Sequence, residues 1–162
     1  MDLALPKRLW WEYISEDLRE LLIQSQSLIT KVEDWEEKFH DYAFIVFPAA
    51  KAYEGFLKKL FLDQGFISQE QYLGKRFRIG KALNPSLETQ IRQSEGVYDK
   101  LVDYCGGSAL ADTLWTTWKE ARNLTFHWFP EEKNAITFEE AINKVKMVTE
   151  AMDAAYSECK IK

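Results

Sequence analysis

Residues 41–64 read DYAFIVFPAAKAYEGFLKKLFLDQ. From Tyr42 to Phe56 the segment is apolar on nearly every side. It then becomes one-sided, with Leu57, Leu60 and Phe61 facing inward. A helix that is hydrophobic all round has to be surrounded by other elements, so this segment belongs in the middle of a bundle. Pro48 should kink the helix or mark its true start, and Gly65 is a natural C-terminal stop. One polar group interrupts the apolar row of Ala50, Glu54, Leu57 and Phe61. Glu54 either pairs with Lys58 one turn on, a contact that contributes a few tenths of a kcal/mol, or points a carboxylate into a site.

Working outward, the neighbours read as helices too. Ser15 is placed as an N-cap before acidic Glu16 and Asp17, and Leu18, Leu21, Leu22, Ser25, Leu28, Ile29 and Val32 recur at three- and four-residue steps. This predicts a helix over roughly 15–33, after an aromatic lead-in at 1–14. Beyond Gly65, Ser68 to Gln71 resembles a capping box for a short helix ending at Gly74. The rest of 66–95 reads as a loosely structured basic insertion. Within it Lys75, Arg76, Arg78 and Lys81 surround Phe77, a mixture that could track a nucleic-acid backbone and stack a base, although such clusters are also ordinary solvated surface. A helix over Val97–Cys105 stops at Gly106-Gly107. Ser108 then opens the next, with Leu110, Leu114, Trp118, Ala121, Thr125 and Trp128 on its inward face. After Pro130 and a polar loop, Thr137 to Glu140 forms a second capping box. The last helix it opens carries Ala141, Ile142, Val145, Val148, Met152, Ala155 and Tyr156 as its stripe. No segment alternates with period two. The expected architecture is all-α, an antiparallel four-helix bundle with a short helical insertion between the second and third main helices, as a single domain over 1–162.

Composition narrows the functions. The 162 residues, 46% apolar and 14% aromatic, suffice for a real core. A net charge of −5 excludes coating nucleic acid by bulk charge, so any RNA contact has to be local. Two cysteines, Cys105 and Cys159, do not make a zinc cluster or a disulfide framework, and a reduced, cytoplasmic chain is the simpler expectation. The start MDLALPKRLWWEY lacks the pattern of a secretory signal, and no run spans a bilayer. No cofactor motif and no His/Asp/Glu group with metal-ligand spacing is read, so neither a metal nor another cofactor is expected.

The chemistry concentrates at Arg122-Asn123-Leu124-Thr125-Phe126-His127. Arg is always charged and presents a planar fork of donors. His gains and loses a proton near neutrality. On a continuing helix Asn123 and His127 share a face, so the amide can fix the imidazole tautomer. Arg122 lies one step round, and tightening of the last turn before Pro130 would bring its guanidinium toward His127. The expectation is that both groups converge on one solvent-reachable pocket. An Arg and a His at a helix C-terminus also interact favourably with the macrodipole, so the pair can equally be a structural cap.

A helical bundle with Arg-x4-His ending its penultimate long helix, a polar residue after the arginine and a Glu on an earlier core helix resembles the HEPN domain superfamily. AAKAYEGFLKKLF at 49–61 and KEARNLTFHWFP at 119–130 are most similar to the HEPN-type domain of the RNase LS toxin family, the part that dimerises and is bound by its antitoxin. The likeness spans roughly residues 40–160. It implies a metal-independent endoribonuclease acting as a homodimer, a toxin of a toxin–antitoxin or phage-defence system, with Arg122 and His127 as the signature pair, Asn123 as the polar neighbour and Glu54 as the earlier carboxylate. RNA and a protein antitoxin are the implied partners. Many nucleotidyltransferase-paired HEPN toxins carry a tyrosine two residues after the histidine, where this chain has Phe129.

The residues fit that chemistry independently. Attack of a 2′-OH on the adjacent phosphate needs one proton removed, one delivered to the leaving 5′ oxygen, and charge stabilised on the phosphoryl oxygens. His127 can move a proton and Arg122 can stabilise charge. With His40 and His127 the only histidines, the second transfer would fall to Glu54, water or the partner subunit's His127. Two other readings stay open: a non-catalytic HEPN-like module binding RNA or nucleotide through Arg122 and the basic cluster, and a helical interaction domain whose aromatics serve a dimer interface.

Overall fold

The computed structural model describes residues 2–158, with the Glu132 side chain excepted, and among these residues all regular structure is helical and there is no strand. The helices are α1 (Glu16–Glu33), α2 (Ala43–Asp63), α3 (Gln69–Leu73), α4 (Ile79–Ala82), α5 (Thr89–Glu95), α6 (Tyr98–Cys105), α7 (Ala109–Trp118) and α8 (Phe138–Glu158). A π-helical turn, Lys119–Asn123, continues α7, and 3-10 turns cover Leu5–Lys7 and Pro130–Glu132.

Helix α2 is the axis. It packs against α1 on one side and α8 on another, and α8 in turn lies against α7. Ile45, Val46, Ala49, Ala52, Tyr53, Phe56, Leu57, Leu60 and Phe61 are all fully buried, as the all-round apolar sequence requires. Pro48 lies inside the helix rather than at its start. Proline crowds the preceding turn and breaks the regular ladder, and here a side chain of α1 repairs the break. The Ser25 hydroxyl donates to the Ile45 carbonyl at 2.8 Å and accepts from the Ala49 N–H at 2.9 Å. Those two backbone groups would bond each other directly in an unbroken α-helix. The serine that sits in the apolar row of α1 is therefore a rung of α2.

Local punctuation follows the sequence closely. Gly65 and Gly106 take left-handed φ values of 70° and 71° at the ends of α2 and α6. Both capping boxes form, Ser68 with Gln71 and Thr137 with Glu140. Ser15 precedes α1, but its side chain makes no capping bond.

Four expectations are corrected. The insertion is not loose: it contains α3, α4 and α5, and sends Ile67, Phe77, Ile79, Ala82 and Leu83 into the core. Phe77 is only 6% exposed and cannot stack on a base. Trp128 is 73% exposed rather than inward, because the helix widens at Lys119 and ends at Asn123, after which a 3.6-residue count no longer applies. Cys105 is disulfide-bonded rather than reduced, while Cys159 lies outside the described residues. The lead-in at the N-terminus is also more integral than its position suggests. Trp10 is fully buried, and its indole N–H donates to Asp153 of α8 at 2.7 Å, where Arg8 pairs with the same carboxylate.

Ser25→Ala leaves the Ala49 N–H and Ile45 C=O without their relay, and the Pro48 ring opposes direct closure. Denaturant unfolding should show a loss of about 1–3 kcal/mol, the usual cost of a buried unsatisfied backbone group. A change within about 0.5 kcal/mol, the range of neutral surface substitutions, would mean the hydroxyl is dispensable.

Candidate functional site

The site grows from the far end of α7, whose position α2 sets. Tyr53, fully buried, donates its hydroxyl to the Leu114 carbonyl at 3.1 Å. Burial pushes its phenol well above the usual tyrosine range, so it stays a neutral donor. Beyond Trp118 the helix widens into the π turn, closed by the Leu124 N–H on the Lys119 carbonyl at 2.9 Å. The Glu120 carbonyl accepts from the Thr125 hydroxyl and from Lys144 of α8, both at 2.7 Å. The last turn thus widens where tightening was expected. Single π turns of this kind recur where a helix presents functional groups.

Arg122 folds back along the helix, its guanidinium carbon 5.1 Å from the ring centroid of Trp118, four residues earlier. It lines a cavity of about 430 Å³ bounded by α2, α4 and α7. Glu54 of α2 lines the same cavity, with Oε2 3.8 Å from Arg122 Nη2 and Oε1 4.0 Å from Lys58 Nζ. Both alternatives for Glu54 are therefore realised: the carboxylate faces the site and also touches the lysine one turn on.

His127 lies past the helix and is exposed. Its Nε2 is 3.1 Å from Asn123 Oδ1, as the four-residue spacing predicts. Its hollow, about 450 Å³, is a different one, shared with His40, Asp41, Phe47 and Trp128. Within one chain Arg122 and His127 therefore occupy neighbouring hollows instead of one pocket. The reason is directional: Arg122 leans toward the N-terminal side of its helix, onto Trp118, while the chain carrying His127 has already left the helix. Asn123 is the link, lining the arginine's cavity and holding the imidazole.

The basic cluster divides in the same way. Arg78 and Lys81 line the Arg122 cavity, whereas Lys75 and Arg76 line a separate hollow of about 550 Å³ beside Glu70 and Glu95. Lys81 is paired with Glu95 at 2.9 Å. Among the described residues no group of three or more His, Cys, Asp or Glu side chains could hold a metal ion, and no helix is long and apolar enough to cross a membrane.

Several contributors were not foreseen. Trp115 and Trp118 form a wall of the arginine's cavity; their spacing seven and four residues before Arg122 was a usable signal, but Trp118 read as core. His40 sits on the His127 hollow through tertiary contact alone. Asn134 pins the turn after the helix, donating to the Leu124 carbonyl at 3.1 Å and to the His127 carbonyl, and accepting from the Phe129 N–H at 3.3 Å. No family model, characterised protein or solved structure matches this chain.

Asn134→Ala should free that turn. Amide exchange at Phe129 should accelerate about fivefold or more while exchange within α2 stays unchanged, because loss of a partly buried hydrogen-bond set costs about 1 kcal/mol or more and acts locally. Equal protection in the variant would show that other contacts hold His127 in place.

Proposed function

We propose that this protein is a metal-independent endoribonuclease that cleaves RNA by internal attack of a 2′-OH, and that it works as a HEPN-type four-helix bundle in a homodimer, as a toxin restrained by a protein antitoxin. The observation that carries the reading is the Asn123 bridge, which puts a fixed cation and an oriented proton carrier on either side of one amide. A phosphodiester lying across Asn123 would meet Arg122 on one side and His127 on the other.

The reaction balances with those groups. A base removes the 2′-OH proton, the 2′ oxygen bonds to phosphorus, the P–O5′ bond breaks, and an acid protonates O5′, leaving a 2′,3′-cyclic phosphate. With its Nε2 held by Asn123, His127 keeps Nδ1 for one of the two transfers. Arg122 stabilises the charge that builds on the phosphoryl oxygens. For the second transfer His40, on the same hollow, joins Glu54, water and the partner subunit's His127 as a candidate. The dimer is supported by the apolar surface beside His127: Phe47, Trp128 and Phe129 are 52%, 73% and 40% exposed, more than a face left to water ordinarily carries.

Purified protein with RNA in EDTA should yield fragments ending in 2′,3′-cyclic phosphate. His127→Ala should lower the rate by about 10²–10⁴, the usual worth of one positioned acid or base. Arg122→Ala should lower it by about 10²–10³, with the fold intact by circular dichroism. Cleavage that requires added metal, or that persists undiminished in His127→Ala, would remove this mechanism. His40→Gln tests the second transfer: a drop comparable to that of His127→Ala assigns it to His40, and an unchanged rate returns it to the other candidates.

A further inference from the structure

Residues 33–37, at the end of α1 and just past it, read EDWEE. A helix C-terminus favours cations, because its unpaired carbonyls carry partial negative charge. Here the signs are reversed. Lys31 is the one base in the last turn, while Glu33, Asp34, Glu36 and Glu37 are all exposed, and none of these four side chains has a hydrogen bond or ion pair among the described residues. Folding gains nothing from these charges, and the negative potential they add to the helix end stays open to solvent. Asp41 shows the contrast, since its carboxylate accepts from the Ala43 and Ile136 N–H groups.

The same segment lays out an aromatic row. The rings of Trp35 and Phe39 lie 5.7 Å apart, those of Phe39 and Phe44 5.3 Å, and the three side chains are 47%, 37% and 36% exposed. Tyr42 braces the row, with its ring 5.8 Å from that of Phe39 and its hydroxyl accepting from the Phe39 N–H at 3.1 Å. Aromatic side chains held in place but open to water bury a large area when covered and lose little freedom, which makes them the usual anchors of an interface. Trp35 and Phe39 line a hollow of about 500 Å³ with Asp34, Glu36 and Glu37. It shares no residue with the hollows of Arg122 and His127.

The charges decide what covers this row. Nucleic acid or an anionic membrane would bring negative charge against four free carboxylates, and a second copy set face to face would bring four more. A protein segment with Lys or Arg on either side of an apolar side chain meets both requirements. Its apolar group fills the hollow, and its cations reach the carboxylates and the face of Trp35. We infer that the Trp35, Phe39 and Phe44 row is a docking face for such a cationic segment of a partner protein, with Asp34, Glu36 and Glu37 as the charges that select it. This face goes beyond the endoribonuclease reading: it uses none of those residues, and its occupancy does not require cleavage.

Fluorescence anisotropy on the whole chain tests this, with a labelled peptide alternating Arg and Leu and two versions in which Ser replaces Leu or Glu replaces Arg. The Arg-Leu peptide should bind once per chain, about tenfold or more tighter than either version, and more weakly as salt is raised. Trp35→Ala should weaken it about tenfold or more. Glu36→Gln combined with Glu37→Gln should weaken it about fivefold or more, and both positions are exposed, so this result stands even if Trp35→Ala disturbs folding. Glu88→Gln combined with Asp103→Asn removes the same charge from exposed positions elsewhere and should leave the affinity within about twofold. An equal loss in that control, or an affinity within about twofold in the Glu36 and Glu37 double variant, makes the binding general charge attraction and overturns the inference. Self-association by analytical ultracentrifugation that Trp35→Ala abolishes would give the face to a second copy and overturn it too. So would an RNA oligonucleotide that displaces the peptide and loses its own binding in Trp35→Ala.

Discussion

A proline in the middle of the most buried helix is the constraint around which the rest is arranged. Pro48 breaks α2 at the point where neighbours enclose it and no water can satisfy the freed backbone groups. The Ser25 hydroxyl closes the gap by standing between Ile45 and Ala49, which locks α1 to α2 in a single register. From that fixed helix project the two residues that define the far end of α7. Tyr53 bonds the Leu114 carbonyl, and one residue later Glu54 faces Arg122. A slip of α1 against α2 would therefore reach the candidate site through two adjacent side chains.

At that site the backbone, more than any single side chain, decides the geometry. The π turn at Lys119–Asn123 inserts a wider loop just where the helix hands over to the chain carrying His127. Lys144 and Thr125 satisfy the Glu120 carbonyl, and Asn134 staples the turn that follows. Arg122 is left on the helix, against Trp118, in the cavity it shares with Glu54, Arg78 and Lys81. His127 is carried into the adjacent hollow with His40. Asn123 lines the arginine's cavity and holds the imidazole of the adjacent hollow, so it links the charge to the proton carrier.

Much of this was readable in the chain wherever a short-range rule governs. Glycines at Gly65 and Gly106 stop helices because only they tolerate the left-handed turn without strain, and the capping boxes at Ser68 and Thr137 form because both partners lie within one turn. The all-round apolar character of 42–56 placed α2 correctly because burial is what that pattern encodes. The Asn123–His127 contact was legible for the same reason, being a four-residue spacing. Long-range packing was not legible. Phe77 looked available because its neighbours are charged, but the core claims it. Trp128 was assigned inward by extrapolating a helical period through a π turn that no residue announces. Trp10 is buried by long-range packing, with its indole N–H bonded to Asp153, 143 positions away. The separation of Arg122 from His127 has the same origin, since sequence spacing does not encode which way each side chain leans.

The central claim is that Arg122 and His127 act as one unit on a phosphodiester bridged by Asn123. A double-mutant cycle on single-turnover RNA cleavage in EDTA, comparing Arg122→Ala, His127→Ala and the double variant, probes that coupling most directly. The expected result is strong non-additivity, with the double variant no slower than about tenfold below the worse single one, as groups acting together in one transition state behave. Effects that simply multiply, or the absence of RNA cleavage by the unsubstituted protein, would contradict it.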